Sequence, residues 1–425
     1  MNKNCFEDMV GRGFFYQLTD EESLHKILNE SNITFYVGFD PTADSLQIGH
    51  LLPVMAAKRL QMYGHKPIML VGGATALVGD PSGKQEARPL LSRETVAKNT
   101  EAIKTQLSRF INFSDAYFVN NADWFADMLY IDMLRNIGCH FSVNRMLSMD
   151  SVKQRMETGI SFLEFNYMIL QSYDFVYLNE KYNCELQIGG QDQWGNIVSG
   201  VELGRKLKGK SFYGITFPLL TDSSGQKFGK TAGNAVWLDK NRTSVFDYYQ
   251  FWRNVDDADV CKLLYFFTFL PSDEIESFKK LQVPEINRAK EILAYETTML
   301  AHGAEEAKNA YIAAGTKFGF ADPENKIPTS SAVKDILTAS SSENLPTYEM
   351  SSEKIKNGVW IVALFTESDL TSSNGEARRL IQGGGAYIND KKITDLNYSV
   401  TEDDFKNGEI ILKAGKKNIK RIIIT

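Results

Sequence analysis

The first 220 residues alternate between short apolar runs and longer stretches in which apolar positions have helical spacing. Residues 33–39 form an apolar run that predicts a buried strand, and residues 48–63 predict a helix that is closed by Gly64. Residues 68–71 form a second apolar run, so a strand, a helix and another strand follow one another. Such a βαβ unit needs parallel strands, and the pattern therefore predicts a parallel sheet covered by helices.

The same pattern continues to residue 220, with one helical interruption. Residues 121–183 carry amphipathic helical spacing, which predicts a helical insertion into the sheet domain. We therefore interpret residues 1–220 as one α/β domain. Its other predicted elements are a helix at 93–112, a strand at 116–119, a strand at 186–190 and a helix at 193–207.

The rest of the chain changes character several times. A glycine-containing loop leads into a long helical stretch, which is followed by a linker-like segment rich in Ser, Pro, Asn and Glu. A small mixed module closes the chain, and its last residues predict a β-hairpin with strands at 410–412 and 422–424. The predicted boundaries are a loop at 221–243, an all-helical domain at 244–318, a linker at 319–352 and a small α+β module at 353–425.

Composition narrows the class of protein. The chain of 425 residues has 43% hydrophobic and 24% charged residues, which is ordinary for a soluble globular protein. The four cysteines and five histidines lack the spacing of metal ligands, so we expect no protein-bound metal and a reducing, cytoplasmic environment. The N-terminus has no apolar signal core and no run of about 18 apolar residues occurs, so no membrane span is expected.

Charge is distributed unevenly. The net charge is −6, yet residues 375–425 hold ten Lys or Arg against seven Asp or Glu, which leaves −9 for residues 1–374. An acidic body with a basic C-terminal segment suggests that this segment meets a polyanion. Charge alone favours the simpler interpretation of a charged, solvated surface, and the polyanion interpretation stays open at this point.

Two short polar segments suit a polyphosphate. Residues 40–50 join the first strand to the next helix, where unpaired N–H groups can face a phosphate. His50 lies in the first helical turn, and Gly38 and Gly49 let a nucleotide approach the backbone closely. Residues 227–231 hold two lysines three positions apart, and ammonium groups supply the countercharge that a splitting triphosphate needs. Together these segments predict a nucleotide site at the carboxyl ends of parallel strands.

Four segments carry a resemblance to a known family. Residues 40–50 resemble the first signature of the class I aminoacyl-tRNA synthetases, and residues 227–231 resemble their second signature in its tyrosine-branch form. Residues 71–84 and 186–196 are similar to bacterial tyrosyl-tRNA synthetases. The resemblance implies a Rossmann-like catalytic domain with a helical insertion, an all-helical anticodon-binding domain and a small RNA-binding module. It also implies a homodimeric ligase that joins L-tyrosine to tRNA(Tyr), with ATP and Mg²⁺ as substrate.

The resemblance also implies the groups that act on the nucleotide. The attacking tyrosine carboxylate is already ionised and needs no general base, so positioning and charge stabilisation dominate. At the position of Gln47 the family usually has a histidine, and an amide donates a hydrogen bond but carries no charge. The implied catalytic residues are Thr42, Gln47, His50, Lys84, Arg88, Lys227, Lys230 and Thr231. The implied ATP-binding residues are Gly38, Asp40, Gly49, His50, Gly190, Asp192 and Lys230.

A second set of residues is implied for the amino acid. Tyrosine differs from phenylalanine by one hydroxyl, and a buried polar pair left unpaired by phenylalanine discriminates between them. Tyr167, Gln171 and Asp174 are spaced by four and three positions, so one helix face can present all three. The resemblance implies Tyr36 and Asp174 at the phenol and Asp80, Tyr167 and Gln171 at the ammonium group. Gln187 and Gln193 are implied to line the same tyrosine pocket.

The C-terminal module resembles a small RNA-binding module shared with a ribosomal small-subunit protein, through residues 372–389. Its basic clusters suit phosphate and shape recognition. The aromatic run at 248–252, in the helical domain, is predicted to be core, with base stacking as the lesser alternative. The residues implied to bind RNA are Arg378, Arg379, Lys391, Lys392, Lys416 and Lys417, and Lys413, Lys420 and Arg421 lie in the same hairpin.

Two other functions remain open from the sequence. A tryptophan–tRNA ligase has the same fold, although indole has no hydroxyl to satisfy Tyr36 and Asp174. A relative that binds RNA, or assists splicing, without catalysis would fit the departure at Gln47. The lysine signature and the pocket residues favour the tyrosine–tRNA ligase.

Overall fold

The structure is a computed structural model that describes most of the chain. It divides into two compact units, Met1–Ala314 and Gly315–Thr425. The described residues are 4–82, 90–223, 225, 228–231, 234–336, 347–356, 358–389, 391–405, 408–415 and 418–424, without the side chains of Ser151, Lys230, Thr231, Asn234 and Ile419.

A six-stranded sheet forms the centre of the first unit and confirms the predicted parallel sheet. Its spatial order is β1-β6-β5-β2-β3-β4, and all neighbours are parallel except the antiparallel pair β1 and β6. The two-residue β1 has no sequence pattern that would predict it. The strands are β1 (Gln17–Leu18), β2 (Thr34–Phe39), β3 (Lys66–Val71), β4 (Tyr117–Asn120), β5 (Cys184–Gly190) and β6 (Tyr213–Phe217).

Helices cover the sheet, so β3 is buried at every position except its first. The predicted helix at 93–112 ends five residues earlier, at Leu107. The predicted insertion is helical, but it consists of five short helices followed by one long one. The helices are α1 (Cys5–Gly11), α2 (Glu21–Glu30), α3 (Ile48–Met62), α4 (Arg93–Leu107), α5 (Ala122–Phe125), α6 (Tyr130–Asn136), α7 (Val143–Ser148), α8 (Asp150–Met156), α9 (Phe162–Phe165), α10 (Tyr167–Tyr182) and α11 (Trp194–Lys208).

A helical region follows the sheet, as predicted. Tyr248, Tyr249 and Trp252 are completely buried, and the Trp252 ring packs 5.0 Å from that of Phe267. These three rings are therefore core, and the stacking alternative is wrong for them. Two short strands, β7 (Lys230–Thr231) and β8 (Asn234–Ala235), precede the helices α12 (Val245–Arg253), α13 (Val260–Phe267), α14 (Ser272–Phe278), α15 (Ile286–His302) and α16 (Ala304–Phe318).

The second unit holds the predicted C-terminal module. A five-stranded sheet of order β12-β11-β14-β15-β9 includes the predicted hairpin, β14 and β15, and a separate pair joins β10 and β13. Its elements are β9 (Thr347–Met350), α17 (Ser352–Lys356), β10 (Val359–Trp360), α18 (Ile361–Glu367), α19 (Asn374–Gln382), β11 (Ala386–Ile388), β12 (Lys391–Lys392), β13 (Ser399–Val400), β14 (Glu409–Ala414) and β15 (Asn418–Ile424).

The predicted linker at 319–352 is too long at its C-terminal end. Residues 347–350 form β9, which pairs in parallel with β15 inside the module's sheet. A strand of four residues has too few positions to reveal an alternating pattern, and its pairing with distant β15 fixes it in place.

The described helices include none with the length and apolar character needed to cross a membrane.

Candidate active site

The sheet order points to one crevice. From β2 the chain continues to β3 and β4 on one side, and it returns to β5 and β6 on the other side of β2. In open parallel sheets, ligands bind at the carboxyl ends of strands where the order reverses in this way. The ends of β2 and β5 therefore locate the candidate site.

The two signature segments meet at this edge. The Ile48 amide at the start of α3 donates to the Val236 carbonyl at 3.1 Å, and the Leu238 amide donates to the Leu46 carbonyl at 2.9 Å. Gly229 has a φ of +91°, and a Cβ there would lie 3.4 Å from the Ile48 Cβ. The segment around Gly229 therefore lies against the N-terminus of α3, although it is far away in sequence.

The first turn of α3 orients the ring of His50. The Gln47 backbone N–H donates to Nδ1 of His50 at 3.2 Å. While Nδ1 accepts this hydrogen bond, the ring N–H lies on Nε2 and can act as a donor. Gln47 itself is the N-cap residue of α3, and a Cβ at Gly49 would meet no atom within 4 Å.

A buried carboxylate lies beside β2. Asp174 is 2% exposed, and its oxygens accept hydrogen bonds from Trp124 Nε1 at 2.9 Å and Asn121 Nδ2 at 3.2 Å. Burial raises the pKa of Asp174 well above its usual value. The Tyr36 hydroxyl and Gln187 Oε1 are also buried and have no hydrogen-bond partner among the described residues. Burial, followed by the nearby Asp174, raises the pKa of Tyr36.

Asp40 connects this pocket to the helix start. Its carboxylate accepts hydrogen bonds from the Tyr167 hydroxyl at 2.9 Å and from Thr75 Oγ1 at 2.8 Å. Asn121 Nδ2 donates to both Thr75 Oγ1, at 3.1 Å, and Asp174. From the sequence, Asp40 was assigned to ATP and Tyr167 to the ammonium group. In the structure the two side chains are hydrogen-bonded to each other.

Three members of this network were missed from the sequence: Thr75, Asn121 and Trp124. Asn121 directly follows β4, and polar residues just beyond the carboxyl end of a parallel strand are the signal that could have found it. Trp124 had no comparable signal, because a single tryptophan in a helical segment is usually interpreted as a core residue.

A second carboxylate lies near β5. Asp80 accepts hydrogen bonds from Gln193 Nε2 at 2.7 Å and from the Ser82 amide at 2.9 Å. Gln193 Oε1 accepts in turn from Asn196 Nδ2 at 3.0 Å. Burial raises the pKa of Asp80 in spite of these hydrogen bonds, and the nearby Asp192 adds to the rise.

The structure places the other predicted residues as follows. Gln171 is half-buried on α10, one turn from Tyr167, and Thr42 is half-buried just beyond β2. A Cβ at Gly190 would lie 2.6 Å from Asp192 Oδ1, and a Cβ at Gly38 would only touch Leu70 at 3.7 Å. Five of the predicted residues lie outside the described residues: Lys84, Arg88, Lys227, Lys416 and Lys417. Lys230 and Thr231 are described in their backbone only.

Basic side chains of the second unit fall into two groups. Arg378, Arg379, Lys391 and Lys392 are exposed, and the Arg378 guanidinium lies 5.2 Å from the centre of the Trp360 ring. By contrast, Lys420 pairs with Asp369 and Arg421 pairs with Glu409. The last hairpin is therefore less basic at its surface than the sequence suggests.

Comparisons with known proteins agree across the chain. The family model of class I tRNA synthetases (W and Y) matches residues 28–319, and that of the tyrosine–tRNA ligase SYY-like C-terminal domain matches residues 337–422. The tyrosine–tRNA ligase of Clostridium tetani is 49% identical over 100% of both chains, and that of Acetivibrio thermocellus is 48% identical over 99% of both.

A solved structure is also similar. The C-terminally truncated mitochondrial tyrosyl-tRNA synthetase of Aspergillus nidulans superposes with a TM-score of 0.68 at 32% identity, covering 74% of this chain and 94% of that one. The chain therefore belongs to the class I tRNA synthetases, in the branch of the tyrosine–tRNA ligases.

Proposed function

We propose that this chain activates L-tyrosine with ATP and then transfers tyrosine to the 3′ end of tRNA(Tyr). In the first step the tyrosine carboxylate attacks the α-phosphorus, an oxygen–phosphorus bond forms, and pyrophosphate leaves with the electron pair of the broken bond. The observation that carries this proposal is the buried group of Tyr36, Gln187 and Asp174 beside the open start of α3.

The tyrosine phenol fits the polar group at β2. The Tyr36 hydroxyl and Gln187 Oε1 lack partners among the described residues, and an unpaired buried polar atom costs about 1–3 kcal/mol. A ligand hydroxyl can accept from Tyr36 and donate to Asp174, which an indole or a benzene ring cannot do. This arrangement supports tyrosine over tryptophan and phenylalanine.

The ammonium group is proposed to bind between two carboxylates. Asp40 accepts from the Tyr167 hydroxyl of α10, and Asp80 accepts from Gln193 beyond β5. Gln171 follows Tyr167 on α10. A positive ligand offsets the cost of burying these charges. Asp40, assigned from the sequence to ATP, is therefore proposed to serve the ammonium group as well.

The triphosphate is proposed to lie along the start of α3. Backbone N–H groups, Thr42 and the Nε2–H of His50 can donate to phosphate oxygens there, and the space above Gly49 admits them. The lysines of residues 227–231, with Lys84 and Arg88, are proposed to neutralise the departing pyrophosphate. Gly38, Gly190 and Asp192 would contact the nucleoside, and Gln47 offers an amide in place of a charge.

Mg²⁺ is proposed to enter on the phosphates of ATP as part of the substrate. The described residues contain no group of three or more His, Cys, Asp or Glu side chains arranged to hold a metal ion. The ion would balance phosphate charge and shape the triphosphate for in-line displacement.

Amino-acid-dependent exchange of pyrophosphate into ATP tests the proposal. We expect exchange with L-tyrosine and only background exchange with L-tryptophan or L-phenylalanine, followed by tyrosine charging of tRNA(Tyr). Exchange with tryptophan would assign the chain to the alternative ligase, and no exchange with any amino acid would assign it to the RNA-binding relatives without catalysis.

The exposed basic residues of the second unit are proposed to contact tRNA. Arg378, Arg379, Lys391 and Lys392 are exposed and form no ion pair with a carboxylate of the described residues, and the match to the SYY-like C-terminal domain supports this role. Lys416 and Lys417 are proposed to extend this surface.

We further propose that the insertion forms a homodimer interface. Of the fifteen large apolar side chains exposed in the described residues, eight lie between residues 129 and 163. Apolar surface concentrated in this way usually marks a protein interface, and an isologous dimer buries the same patch on both copies. The eight are Leu129, Tyr130, Ile131, Leu134, Val143, Met156, Phe162 and Leu163.

Replacing Ile131 by aspartate is expected to weaken this dimer strongly. Ile131 is 62% exposed in the single chain, so an aspartate is harmless in the monomer but buries a charge in the dimer. Sedimentation velocity at micromolar concentration should show monomers for Ile131→Asp and dimers for the parent. Met62→Asp, a comparable change at a 59% exposed position on α3, is the control and should remain dimeric. A dimeric Ile131→Asp variant would contradict this interface.

Tyrosine affinity is expected to rise with pH because of Asp80. Burial raises its pKa above 3.8, so the carboxyl is protonated in the empty site over a wider range and must ionise to hold an ammonium group. Affinity measured by calorimetry should therefore increase from about pH 4 and level off above the raised pKa. The contribution to stability has the opposite sign: it is present below pH 3.8 and is lost as the pH rises through the raised pKa.

Two variants separate this effect from other titrations. Asp80→Asn should bind tyrosine weakly with a flat pH profile. Asp192→Asn should shift the increase in tyrosine affinity to lower pH, because Asp192 contributes to the raised pKa of Asp80. A profile in Asp80→Asn that parallels the parent would show that another group controls binding.

A further inference from the structure

A cleft in the first unit lies away from the candidate active site. Its volume is about 720 Å³, and it opens between the end of α1 and the helices α13 and α14. Apolar side chains form much of its lining, including Val10 and Val283, which are 50% and 72% exposed. Neither the signature segments nor the proposed tyrosine pocket contributes to it.

A buried ionic cluster carries excess positive charge beside this cleft. Asp8 accepts hydrogen bonds from Arg12 Nε at 2.8 Å and from Arg59 Nη1 at 3.1 Å, so one carboxylate serves two guanidinium groups. Backbone carbonyls of Thr268 and Leu270 accept from Arg59 and Arg12 but supply no charge. Burial and the neighbouring Arg12 lower the pKa of Arg59 to about 10, and Asp8 offsets this only in part.

Arg12 belongs to both the cluster and the cleft. Its side chain is more than nine-tenths buried, and the residue is among those that line the cleft. Its Nη1 has no hydrogen-bond acceptor among the described residues, although a buried guanidinium N–H without an acceptor is costly. A ligand that carries an acceptor would relieve this cost.

The other charges around the cleft are balanced except for one lysine. Lys279 pairs with Glu276, and Asp257 pairs with Lys290. Lys262 is exposed and donates to the Thr221 carbonyl at 3.2 Å, and it has no carboxylate within ion-pair distance in the described part of the chain. The cleft therefore presents surplus positive charge together with apolar walls.

We propose that this cleft binds an organic oxyanion, a carboxylate or phosphate on an apolar body, with Arg12 and Lys262 holding the charged group. Guanidinium groups bind such oxyanions through charge-assisted hydrogen bonds. The Tyr265 ring, 5.9 Å from the Arg12 guanidinium, and the side chains of Phe266 and Phe278 provide the apolar walls. The apolar lining favours a compact organic anion over a nucleic-acid backbone, whose phosphates stay hydrated.

Labelling of Cys261 reports occupancy directly. Cys261 lines the cleft and is half-buried, whereas Cys139 is exposed and does not contribute to the lining. Alkylation of both thiols by iodoacetamide is measured by peptide mass spectrometry with three probes: 4-phenylbutyrate, phenyl phosphate and the uncharged 4-phenylbutanol. We expect the anions to slow alkylation of Cys261 severalfold and leave Cys139 unchanged, and the alcohol to protect neither. The anion that slows alkylation of Cys261 more strongly shows whether the cleft prefers a carboxylate or a phosphate.

A matched pair of variants tests the role of charge. Val10→Asp adds an acid at the rim near Arg12 and should abolish protection by both anions, whereas Val10→Asn should retain it. Lys262→Gln should weaken binding about threefold, as expected for an exposed charge. Equal protection by the alcohol, protection in Val10→Asp, or no protection by either anion would overturn the proposal. Protection only by a single-stranded oligonucleotide would overturn it in favour of nucleic acid. The labelling readout does not depend on ligase activity.

Discussion

Replacing Asp174 by asparagine is expected to lower kcat/KM for tyrosine activation by roughly 5- to 150-fold. Both carboxylate oxygens accept hydrogen bonds, from Trp124 and from Asn121. An asparagine side chain has only one oxygen, so its NH₂ group must face one of these donors. The substrate hydroxyl then loses the acceptor that Asp174 is proposed to supply, and a buried donor left without an acceptor costs about 1–3 kcal/mol, which corresponds to that range of rates.

The same change should have little effect on phenylalanine. Phenylalanine has no hydroxyl to bond with residue 174, so its slow exchange should change far less and the tyrosine preference should fall. Steady-state pyrophosphate exchange with both amino acids measures the ratio. Asp123→Asn, at an exposed acid next to Trp124, is the matched control and should leave it unchanged. An unchanged tyrosine preference in Asp174→Asn would exclude this carboxylate from phenol recognition.

Replacing Gly72 by alanine is expected to lower the rate of tyrosine activation by about 10²-fold. A Cβ at this position would lie 2.1 Å from Asp40 Oδ1 and 2.2 Å from Thr75 Oγ1, so their hydrogen bond cannot remain as it is. Displacing Asp40 also disturbs its bond to Tyr167, and misplacement of a binding group by about 1 Å can cost this factor.

The free energy of unfolding should fall less severely in this variant. Overpacking costs about 1–3 kcal/mol, because neighbouring side chains can move. Urea denaturation of Gly72→Ala should therefore show a folded protein whose activity loss exceeds its loss of stability. Gly138→Ala, where the nearest atoms would be 3.7 Å from the new Cβ, should match the parent in both measurements. Normal activation kinetics in Gly72→Ala would show that the network near Asp40 tolerates the displacement.

The sequence predicted the elements that have a local signature. The strand at β2, the helix α3 and the C-terminal hairpin all follow the predicted ranges within a few residues, since their apolar periods are clear. It failed for β1 and β9, which have two and four residues and exist because distant strands pair with them. Short strands carry too little pattern to be read locally.

For the candidate site, the sequence identified residue types and the structure identified their partners. Asp80 and Gln193 were assigned separately and turn out to be hydrogen-bonded, as are Asp40 and Tyr167. The link from Thr75 through Asn121 to Asp174 joins three segments that are unremarkable when read one at a time. Such links depend on which loops the sheet brings to one edge.

The sequence by itself determined the family, the order of the domains and the two polar segments suited to a polyphosphate, because each of these features depends on residues that are contiguous in the chain. Tertiary structure alone decided that Gly229 lies against Ile48 and that Arg12 and Arg59 share one carboxylate. Hydrogen bonding and charge balance act over a few ångströms in space, whereas the groups concerned lie up to about 180 positions apart along the chain.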